Sequence, residues 1–342
     1  MNSSAATAPL SAPVPAASRP RLIFWSLPLI LAGLSSYLFG VMVAVPRWIL
    51  IDAAWARTLN EQIVWYSGVP MFVGLVLTLI DFFVLLPGKR VRHGVMTEPF
   101  PPDSKVTVTL TAYNDEPSIA QAVADFKSHP RVARVIVVDN NSKDRTAEVA
   151  REAGAIVVTE LNPGYGQCVT RCLREGASYE DTPAVVLCEG DCTFRAADID
   201  KLLVYAPHAS IVNGTRIVEQ LREFNTQLST FMYYGNFAVG KLLEVKHLGR
   251  GTFTDVGTTY KLIRREAVER MLAMTTPRVN LEFNCHFLDR ALASGERMVE
   301  CPITFYPRVG VSKGGNVSDR RAMKVGLAMI FGLYTNWRWS TE

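Results

Sequence analysis

The 342-residue sequence has little net charge, no basic block and no phosphate-binding glycine motif. Its 36 Lys and Arg against 32 Asp and Glu leave a formal charge of +4, which is too small and too dispersed for a nucleic-acid-binding surface. Neither G-x-G-x-x-G nor G-x-x-x-x-G-K-[ST] occurs, so dinucleotide binding of the Rossmann type and P-loop chemistry lose their main support. A hydrophobic content of 49% excludes disorder over the whole length.

Cysteine is scarce and lacks the close pairs of a zinc site. The chain has six cysteines. Cys168 and Cys172, like Cys188 and Cys192, are spaced C-x-x-x-C, which is wider than the tight pairs of zinc cages. All six lie in the part of the chain that we place in the cytoplasm, where disulfides are rare. We therefore expect six free thiols.

The apolar residues are concentrated near the N-terminus, after a tail of Ala, Pro and Ser. Residues 1–20 cannot bury enough surface to offset their ordering entropy, which predicts a disordered cytoplasmic tail. The run 22–45 carries no charge and, at about 1.5 Å per residue, exceeds the roughly 30 Å of a bilayer core. The run 69–86 is interrupted only by Asp81. Together they predict a two-helix transmembrane hairpin over 21–88; a cleaved signal peptide is the alternative, but its apolar region is only about 7 to 15 residues long.

Basic residues flank the hairpin on its two outer sides. Arg19 and Arg21 precede the first run, and a basic stretch at 89–92 follows the second. By the positive-inside rule both flanks, and everything after them, lie in the cytoplasm. The expected localisation is the cytoplasmic (inner) membrane, with two spans. Asp81 is expected near the cytoplasmic end of its span, where it reaches interfacial water.

The remaining sequence alternates strand-like and helix-like segments, which is the pattern of βαβ units and a parallel sheet. Short apolar runs, typical of strands covered on both faces, predict strands at 106–110, 135–138, 156–159 and 184–187. Helix-period stretches predict helices at 117–127, 144–153 and 166–179. Pro117 suits a first helical turn, and Gly154 is placed to end the second helix.

Polar residues follow three of these strands. The turns are Thr111-Ala112-Tyr113-Asn114-Asp115-Glu116, Asp139-Asn140-Asn141-Ser142 and Glu189-Gly190-Asp191. Ligands of such sheets bind beyond the carboxyl ends of the strands, so the three turns predict a site at one edge. The carboxylates of Glu189 and Asp191 are hard oxygen ligands that suit Mg²⁺ or Mn²⁺ carrying a diphosphate. The alternative for this doublet is an acidic, solvated turn.

Six segments of the chain carry a resemblance to one known family. They are Tyr113-Asn114-Asp115, Val138 to Thr146 (V-D-N-N-S-K-D-R-T), Asn162 to Gly166 (N-P-G-Y-G), Glu189-Gly190-Asp191, Gly214-Thr215-Arg216, and Val299 to Lys313 (V-E-C-P-I-T-F-Y-P-R-V-G-V-S-K). In this order they resemble motifs of family 2 glycosyltransferases of the GT-A fold, in the polyprenyl-phosphate, dolichyl-phosphate mannose synthase-like branch. The last segment is similar to the branch signature E-x-P-I-x-Y-x-x-R-x-G-x-S-K. Three positions depart from the family pattern: Glu189 for Asp, Asn140 for a second Asp, and Arg145 for Gly.

The resemblance, which covers roughly Val106 to Met329, implies a fold and a donor. The expected fold class is α/β, with a GT-A-type, doubly wound and mainly parallel sheet forming a catalytic domain over 103–320. The donor is a nucleotide sugar. Its nucleoside is expected at Tyr113, Asp115 and Asp139. Its diphosphate is expected on Mg²⁺ or Mn²⁺ held by Asp191 with Glu189.

The resemblance also implies an acceptor side. A phosphate monoester is already an anionic nucleophile, whereas a hydroxyl acceptor needs a general base. The candidates to bind a lipid phosphate are Arg216, Arg308 and Lys313; ordinary surface charge is the alternative for each. Asp255 is the leading candidate to orient the sugar or to act as a base toward a hydroxyl, with Glu282 as the second.

The expected function is a metal-dependent, inverting transfer of one sugar from a nucleotide-sugar donor to a polyprenyl phosphate on the cytoplasmic face. Two segments are expected to be amphipathic interfacial helices, 224–248 and the C-terminal 321–342. Packing in the soluble core is the alternative for the first. Two alternative functions stay open. One is transfer to a hydroxyl-bearing membrane lipid, and the other is a catalytically inactive partner that binds the sugar nucleotide.

Overall fold

The computed structural model describes residues 21–50, 53–85, 97–248, 250–311 and 318–338. These residues fall into two compact units, one before and one after residue 93. The predicted disordered tail over 1–20 and most of the basic flanks of the hairpin lie outside the described residues.

The N-terminal unit consists of apolar helices. Helix α1 spans Leu22–Leu50, α2 spans Ala54–Tyr66 and α3 spans Gly68–Ile80, which a π-helical turn over Asp81–Leu85 continues. Leu22–Pro46 and Ala54–Leu85 are long and apolar enough to cross a membrane, judged by length and composition. The predicted apolar run 69–86 coincides with α3 and its π-helical continuation, residues 68–85. Helix α2, which precedes it, was not predicted, although its sequence contains good helix formers and no Gly or Pro.

Helices α1 and α3 pack closely through small residues. A Cβ at Gly74 would lie 2.9 Å from the Ser26 carbonyl oxygen, and the hydroxyls of Ser26 and Thr78 are hydrogen-bonded at 2.8 Å. The expectation that Asp81 reaches interfacial water was wrong. Its side chain is buried, and Oδ2 accepts a 2.7 Å hydrogen bond from the backbone N–H of Ile23. The carboxylate satisfies an otherwise unpaired N–H in the first turn of α1.

The C-terminal unit alternates strands and helices over most of its length. Its strands are β1 (Val106–Ala112), β2 (Val132–Asp139), β3 (Ile156–Thr159), β4 (Ala184–Glu189), β5 (Ile211–Thr215), β6 (Lys261–Arg264) and β7 (Met298–Pro302). Its helices are α4 (Glu116–Ser128), α5 (Thr146–Glu152), α6 (Tyr165–Ala177), α7 (Asp198–Tyr205), α8 (Thr230–Lys246), α9 (Arg265–Met274), α10 (Phe283–Ser294) and α11 (Asp319–Thr335). Short 3₁₀ turns cover Ala206–His208 and Glu219–Leu221.

The seven strands form one sheet in the order β3-β2-β1-β4-β6-β5-β7. The pairs β3/β2, β2/β1, β1/β4 and β5/β7 are parallel, and only β6 runs antiparallel to its neighbours β4 and β5. The predicted mainly parallel α/β sheet is confirmed. Strands β5, β6 and β7 were not predicted; the four residues of β6 lie in a short run that includes the charged Lys261.

The core confirms most of the predicted burial. Strand β1 is buried along its whole length, and β4 is buried up to Glu189. Strand β3 was expected to be covered on both faces, but it lies at the sheet edge and is partly exposed.

Gly154 follows α5 with φ +86°, as its predicted helix-ending role requires. All six cysteines are buried free thiols, as expected.

The C-terminal helix α11 is anchored within the C-terminal unit by the residue pair Trp337 and Asp289. The Trp337 ring is buried, and its Nε1 donates a 2.8 Å hydrogen bond to Asp289 Oδ2. The same carboxylate pairs with Lys246 at 2.9 Å and with His247 at 2.5 Å, both at the end of α8. Although burial favours the neutral acid, His247 and Lys246 hold the pKa of Asp289 well below its usual value. A buried charge cluster thus fixes α11 beside α8 and α10.

Candidate active site

The ends of β1, β2 and β4 meet at one edge of the sheet, as predicted. Ala112 pairs with Asp139, and Thr111 pairs with Glu189. A cavity of about 730 Å³ opens at this edge. Six of the predicted site residues line it: Tyr113, Asp115, Glu189, Asp191, Arg216 and Arg308.

Arg308 bridges two of the strand ends. Its Nη1 donates to Asp191 Oδ2 at 2.8 Å, and its Nη2 donates to Asp115 Oδ1 at 2.6 Å. Burial opposes the charge of this guanidinium, but Asp191 and Asp115 outweigh that effect and raise the pKa of Arg308. The sequence suggested an acceptor-phosphate ligand here. In the structure one guanidinium neutralises two buried carboxylates.

Glu189 and Asp191 form a carboxylate pair at the cavity, in which Asp191 is buried and contacts Arg308, whereas Glu189 is half-buried. Asp191 Oδ1 accepts from the backbone N–H and the hydroxyl of Thr193, at 3.0 and 2.6 Å. Glu189 Oε1 accepts from the Thr259 hydroxyl at 2.6 Å. Burial, followed by the negative charge of Asp191, raises the pKa of Glu189 to about 7. The single positive charge of Arg308 is shared between Asp191 and Asp115, so a further cation at the pair would stabilise the ionised form of Glu189.

The donor set fits Mg²⁺ or Mn²⁺. Both side chains offer hard carboxylate oxygens, and Mg²⁺ takes only one or two carboxylates when a substrate phosphate and water complete its ligands. Among the described residues no group of three or more His, Cys, Asp or Glu side chains surrounds one point. An ion at this pair would therefore depend on a bound diphosphate for its remaining ligands.

The three predicted nucleoside residues differ in their surroundings. Tyr113 is 42% exposed at the cavity. Asp115 Oδ2 accepts a 3.0 Å hydrogen bond from the Tyr113 backbone N–H, so this carboxylate shapes the β1 turn as well as pairing with Arg308. Asp139 is buried beside the cavity, where Oδ2 accepts from Ser142 N at 3.2 Å and Oδ1 has no partner among the described residues. Such a buried acceptor suits a donor group on a ligand.

Asn140, whose role the sequence left open, has a structural explanation. Its Nδ2 donates to the backbone carbonyls of Glu160 and Asn162, at 3.1 and 2.7 Å, and its Oδ1 accepts from Gly164 N at 3.0 Å. A carboxylate accepts hydrogen bonds but cannot donate them. The amide is therefore required to join the β2 end to the Asn-Pro-Gly turn.

We expect Asn140→Asp to lower the free energy of unfolding by about 2 to 4 kcal/mol, since the buried Glu160 carbonyl and the partly buried Asn162 carbonyl lose their donor and face a negative charge. The midpoint of thermal or urea unfolding measures this loss. Asn141→Asp, at the exposed neighbouring position, is the control and should change little. Equal stability of the Asn140 variant and the wild type would contradict this explanation.

Arg216 and Asp255 form a closed pair beneath the cavity. Arg216 Nε and Nη2 donate to the two Asp255 oxygens at 2.7 and 2.8 Å, and the backbone N–H groups of Arg216 and Gly257 also donate to this carboxylate. Asp255 is fully buried; although burial favours its neutral form, Arg216 holds its pKa below the usual value. The guanidinium also lies 5.3 Å from the Phe305 ring centroid. The geometry makes Asp255 a positioning group for Arg216 and not a free base.

Two further candidates are not placed at the cavity. Glu282 stands before the first residue of α10, and the neighbours that line the cavity are Asn280, Leu281 and Asn284. Lys313 lies outside the described residues.

Four residues of the site were missed by sequence reasoning: Tyr165, Thr259, Lys261 and Asn284. They form a hydrogen-bonded group beside Glu189. Burial lowers the pKa of Lys261 to about 7. The one signal in the sequence was a lysine inside the short apolar run Tyr-Lys-Leu-Ile, which indicates a buried charge with a partner.

The cavity has one polar wall and one apolar wall. The apolar wall comes from α8 and α11, through Phe231, Val239, Met323, Leu327 and Ile330. Phe231, Met323 and Leu327 also remain partly in solvent, with exposed fractions of 39%, 47% and 58%. The helix predicted over 224–248 is shorter than expected, because 224–229 is not helical. The alternative expectation for this segment, packing in the soluble core, holds in part, because Leu242 and Leu243 of α8 are buried.

Comparison with known proteins agrees with this geometry. The family model for glycosyl transferase family 2 matches residues 107–272. An uncharacterized glycosyltransferase of Mycobacterium tuberculosis is 32% identical over 207 residues, which cover 60% of this chain and 87% of that protein. A dolichyl-phosphate hexose transferase of Haloferax volcanii is 27% identical over 231 residues, which cover 65% of this chain and 94% of that protein.

Among solved structures, mannosyl-3-phosphoglycerate synthase from Rubrobacter xylanophilus superposes with a TM-score of 0.53 at 14% identity, over 69% of this chain and 74% of that one. At this identity the likeness concerns the fold alone, and it agrees with the mixed, mainly parallel sheet described above. With the family model, the mycobacterial relative and the sheet in agreement, the chain belongs to glycosyltransferase family 2 and is a glycosyltransferase.

Proposed function

We propose that this enzyme transfers a single sugar, with inversion, from a nucleotide-sugar donor to a polyprenyl phosphate at the cytoplasmic face of the inner membrane. One observation carries the proposal: the acidic and basic strand ends share one cavity with the apolar wall of α8 and α11. A lipid phosphate has the same two-part chemistry, an anionic head and a long apolar chain.

The donor side of the cavity is the carboxyl edge of β1, β2 and β4. Tyr113 offers a partly exposed ring to the base, and Asp115 and Asp139 offer acceptors to the nucleoside. Asp191 and Glu189 would hold Mg²⁺ or Mn²⁺ against the diphosphate. When bound there, the ion supplies Lewis-acid charge withdrawal from the departing nucleotide.

The acceptor side is basic and has no evident free base among the described residues of the cavity. Asp255 is fully paired, and Glu282 does not line the cavity. A phosphate monoester needs cations and not a base, because it is anionic at neutral pH. Arg216 and Arg308 present guanidinium N–H groups that match phosphate oxygens. Arg308 donates one hydrogen bond to each of two carboxylates, so it can give up one of them to a phosphate oxygen and keep the other.

The membrane setting supports a lipid acceptor. Two N-terminal helices are long and apolar enough to cross a bilayer, and Arg19, Arg21 and the basic stretch at 89–92 favour a cytoplasmic position for the following domain. The Haloferax relative is named for hexose transfer to dolichyl phosphate, which is the chemistry proposed here. Exposed apolar side chains on α8 and α11 suit contact with the bilayer surface.

Incubation of the full chain with a panel of nucleotide sugars and polyprenyl phosphate tests the proposal through the mass and acid lability of the lipid product. We expect one added sugar per lipid and release of that sugar by mild acid, since a sugar phosphodiester is acid-labile and a simple glycoside is not. An acid-stable product on diacylglycerol or ceramide would contradict the phosphate acceptor. Tight nucleotide binding without any transfer or donor hydrolysis would contradict catalysis itself.

A further inference from the structure

A directed chain of hydrogen bonds ends on Glu189. Lys261 Nζ lies 3.3 Å from Asn284 Oδ1, and Asn284 Nδ2 lies 3.1 Å from the Tyr165 hydroxyl. The Tyr165 and Thr259 hydroxyls are hydrogen-bonded, and Thr259 Oγ1 donates to Glu189 Oε1 at 2.6 Å. None of these four residues is among the predicted site residues.

The direction of every proton in this chain is determined by its two ends. In the state with Lys261 protonated and Glu189 ionised, which is the state in which Glu189 can hold a metal ion, the ammonium can only donate and the carboxylate can only accept. Thr259 has one O–H, which it gives to Glu189, so the Tyr165 hydroxyl must donate to Thr259. Asn284 in turn donates its amide N–H to Tyr165. All donors therefore point toward the carboxylate, which favours its ionised form and fixes its orientation.

The position of Thr259 follows from the antiparallel strand of the sheet. Leu187 pairs with Lys261 across β4 and β6, so Glu189 and Thr259 face each other two residues further along. Thr259 is 1% exposed and lies two residues before Lys261, the first residue of β6. Glu189 is also the position at which this chain has Glu where the family motif has Asp. The longer side chain carries its carboxylate to the Thr259 hydroxyl.

We propose that Thr259, oriented by Tyr165 and Asn284, is the positioning residue that presents the Glu189 carboxylate to the divalent ion. The inference rests on the proposed metal-binding role of Asp191 and Glu189 and extends it to residues outside the strand-end motif. Groups that orient a metal ligand through a hydrogen bond contribute about 10- to 100-fold to metal affinity. Thr259 is a group of this kind.

The test is Mn²⁺ affinity of the full-length protein, measured by electron paramagnetic resonance in the presence of saturating uridine or guanosine diphosphate, which supplies the remaining ligands of the ion. Thr259→Val removes the hydroxyl and keeps the shape, and we expect it to weaken Mn²⁺ binding by about 10- to 100-fold. Thr259→Ser restores the hydroxyl and should bind close to wild type. Thr258→Val is the matched control, because the adjacent Thr258 is equally buried but its hydroxyl has no partner among the described residues; its affinity should not change.

Two more variants separate this inference from the metal assignment. In a Glu189→Asp background the shorter side chain no longer reaches Thr259, so Thr259→Val should add no further loss. Wild-type affinity in Thr259→Val, or equal loss in the Ser and Val variants, overturns the positioning role. If Asp191→Asn binds Mn²⁺ as tightly as the wild type, or the wild type does not bind it, the metal site itself fails, and the inference fails with it.

Discussion

Asp191→Asn should reduce turnover by about 10³-fold or more, equivalent to about 4 kcal/mol of transition-state stabilisation. The substitution keeps the size of the side chain, and an Asn oxygen can still accept from Thr193, but the negative charge at the proposed diphosphate site is lost. The measurement is kcat for sugar transfer with saturating Mg²⁺ or Mn²⁺ and saturating donor. Because the effect is on charge and not on shape, the folded structure should be retained.

Asp181→Asn provides the matched control for this change. Asp181 precedes β4 and pairs with Arg134 near the start of β2, away from the strand ends that line the cavity, and its side chain is 60% exposed. Asp181→Asn should leave kcat unchanged, because Asp181 does not line the cavity. It should also leave the protein folded, because an exposed ion pair contributes little to stability. Near-normal turnover of Asp191→Asn would contradict the assignment of Asp191 to the diphosphate.

Arg308→Gln should show a large loss of stability that a divalent metal reverses. The substitution leaves Asp115 and Asp191, both nearly buried, without their shared cation. Removing one partner of a buried ion pair typically costs about 3 to 5 kcal/mol. In the presence of a chelator the unfolding midpoint should fall well below that of the wild type. Added Mn²⁺ should raise this midpoint more in the variant than in the wild type, because the ion replaces the missing positive charge at Asp191.

The same variant should transfer sugar about 100-fold more slowly even with metal present, since an Arg contact to phosphate contributes about 3 kcal/mol when desolvated. Arg222→Gln is the control: Arg222 is comparably shielded, but it pairs with the exposed Glu219 away from the cavity. Unchanged stability of Arg308→Gln, or an Mn²⁺ effect no larger than in the wild type, would contradict the view that Arg308 supplies the positive charge at Asp191 that a metal ion can replace.

The parallel half of the fold could be predicted from the sequence because its signals are local. Each of β1, β2 and β4 is an apolar run followed by polar residues, and the general geometry of parallel sheets brings such ends together. Asp115, Glu189 and Asp191 were placed near one another on that argument alone, and the structure has them at one cavity. Helices α4 and α5 were likewise within two residues of their predicted starts.

The contacts that define the charge state of the site could not be predicted in this way. Arg308 meets Asp115 across 193 positions of sequence, and no periodicity reports such a contact. Strand β6 is too short and too polar to be recognised, so Thr259 had no predicted neighbour. The roles of Asn140 and Asp255 depend on which backbone groups face them, which only the folded chain determines.

The extent of the helices was misjudged for a related reason. Hydropathy places an apolar span at 69–86 but does not report that 54–66 is also helical. It also treats Asp81 as a charge that must reach water, whereas the carboxylate is satisfied by the N-terminus of α1. Amphipathic composition similarly suggested interfacial helices at 224–248 and 321–342 without showing that they form one wall of the cavity.

The most direct test of the account is the position of Mn²⁺ in crystals grown with Mn²⁺ and either uridine or guanosine diphosphate, located by anomalous scattering. We predict a manganese peak at about 2.1 Å from an Asp191 carboxylate oxygen, with the diphosphate on its other side and Arg308 moved away from Asp191. A nucleotide bound with no ion at Asp191, or an ion elsewhere while Arg308 still bridges Asp115 and Asp191, would contradict the account.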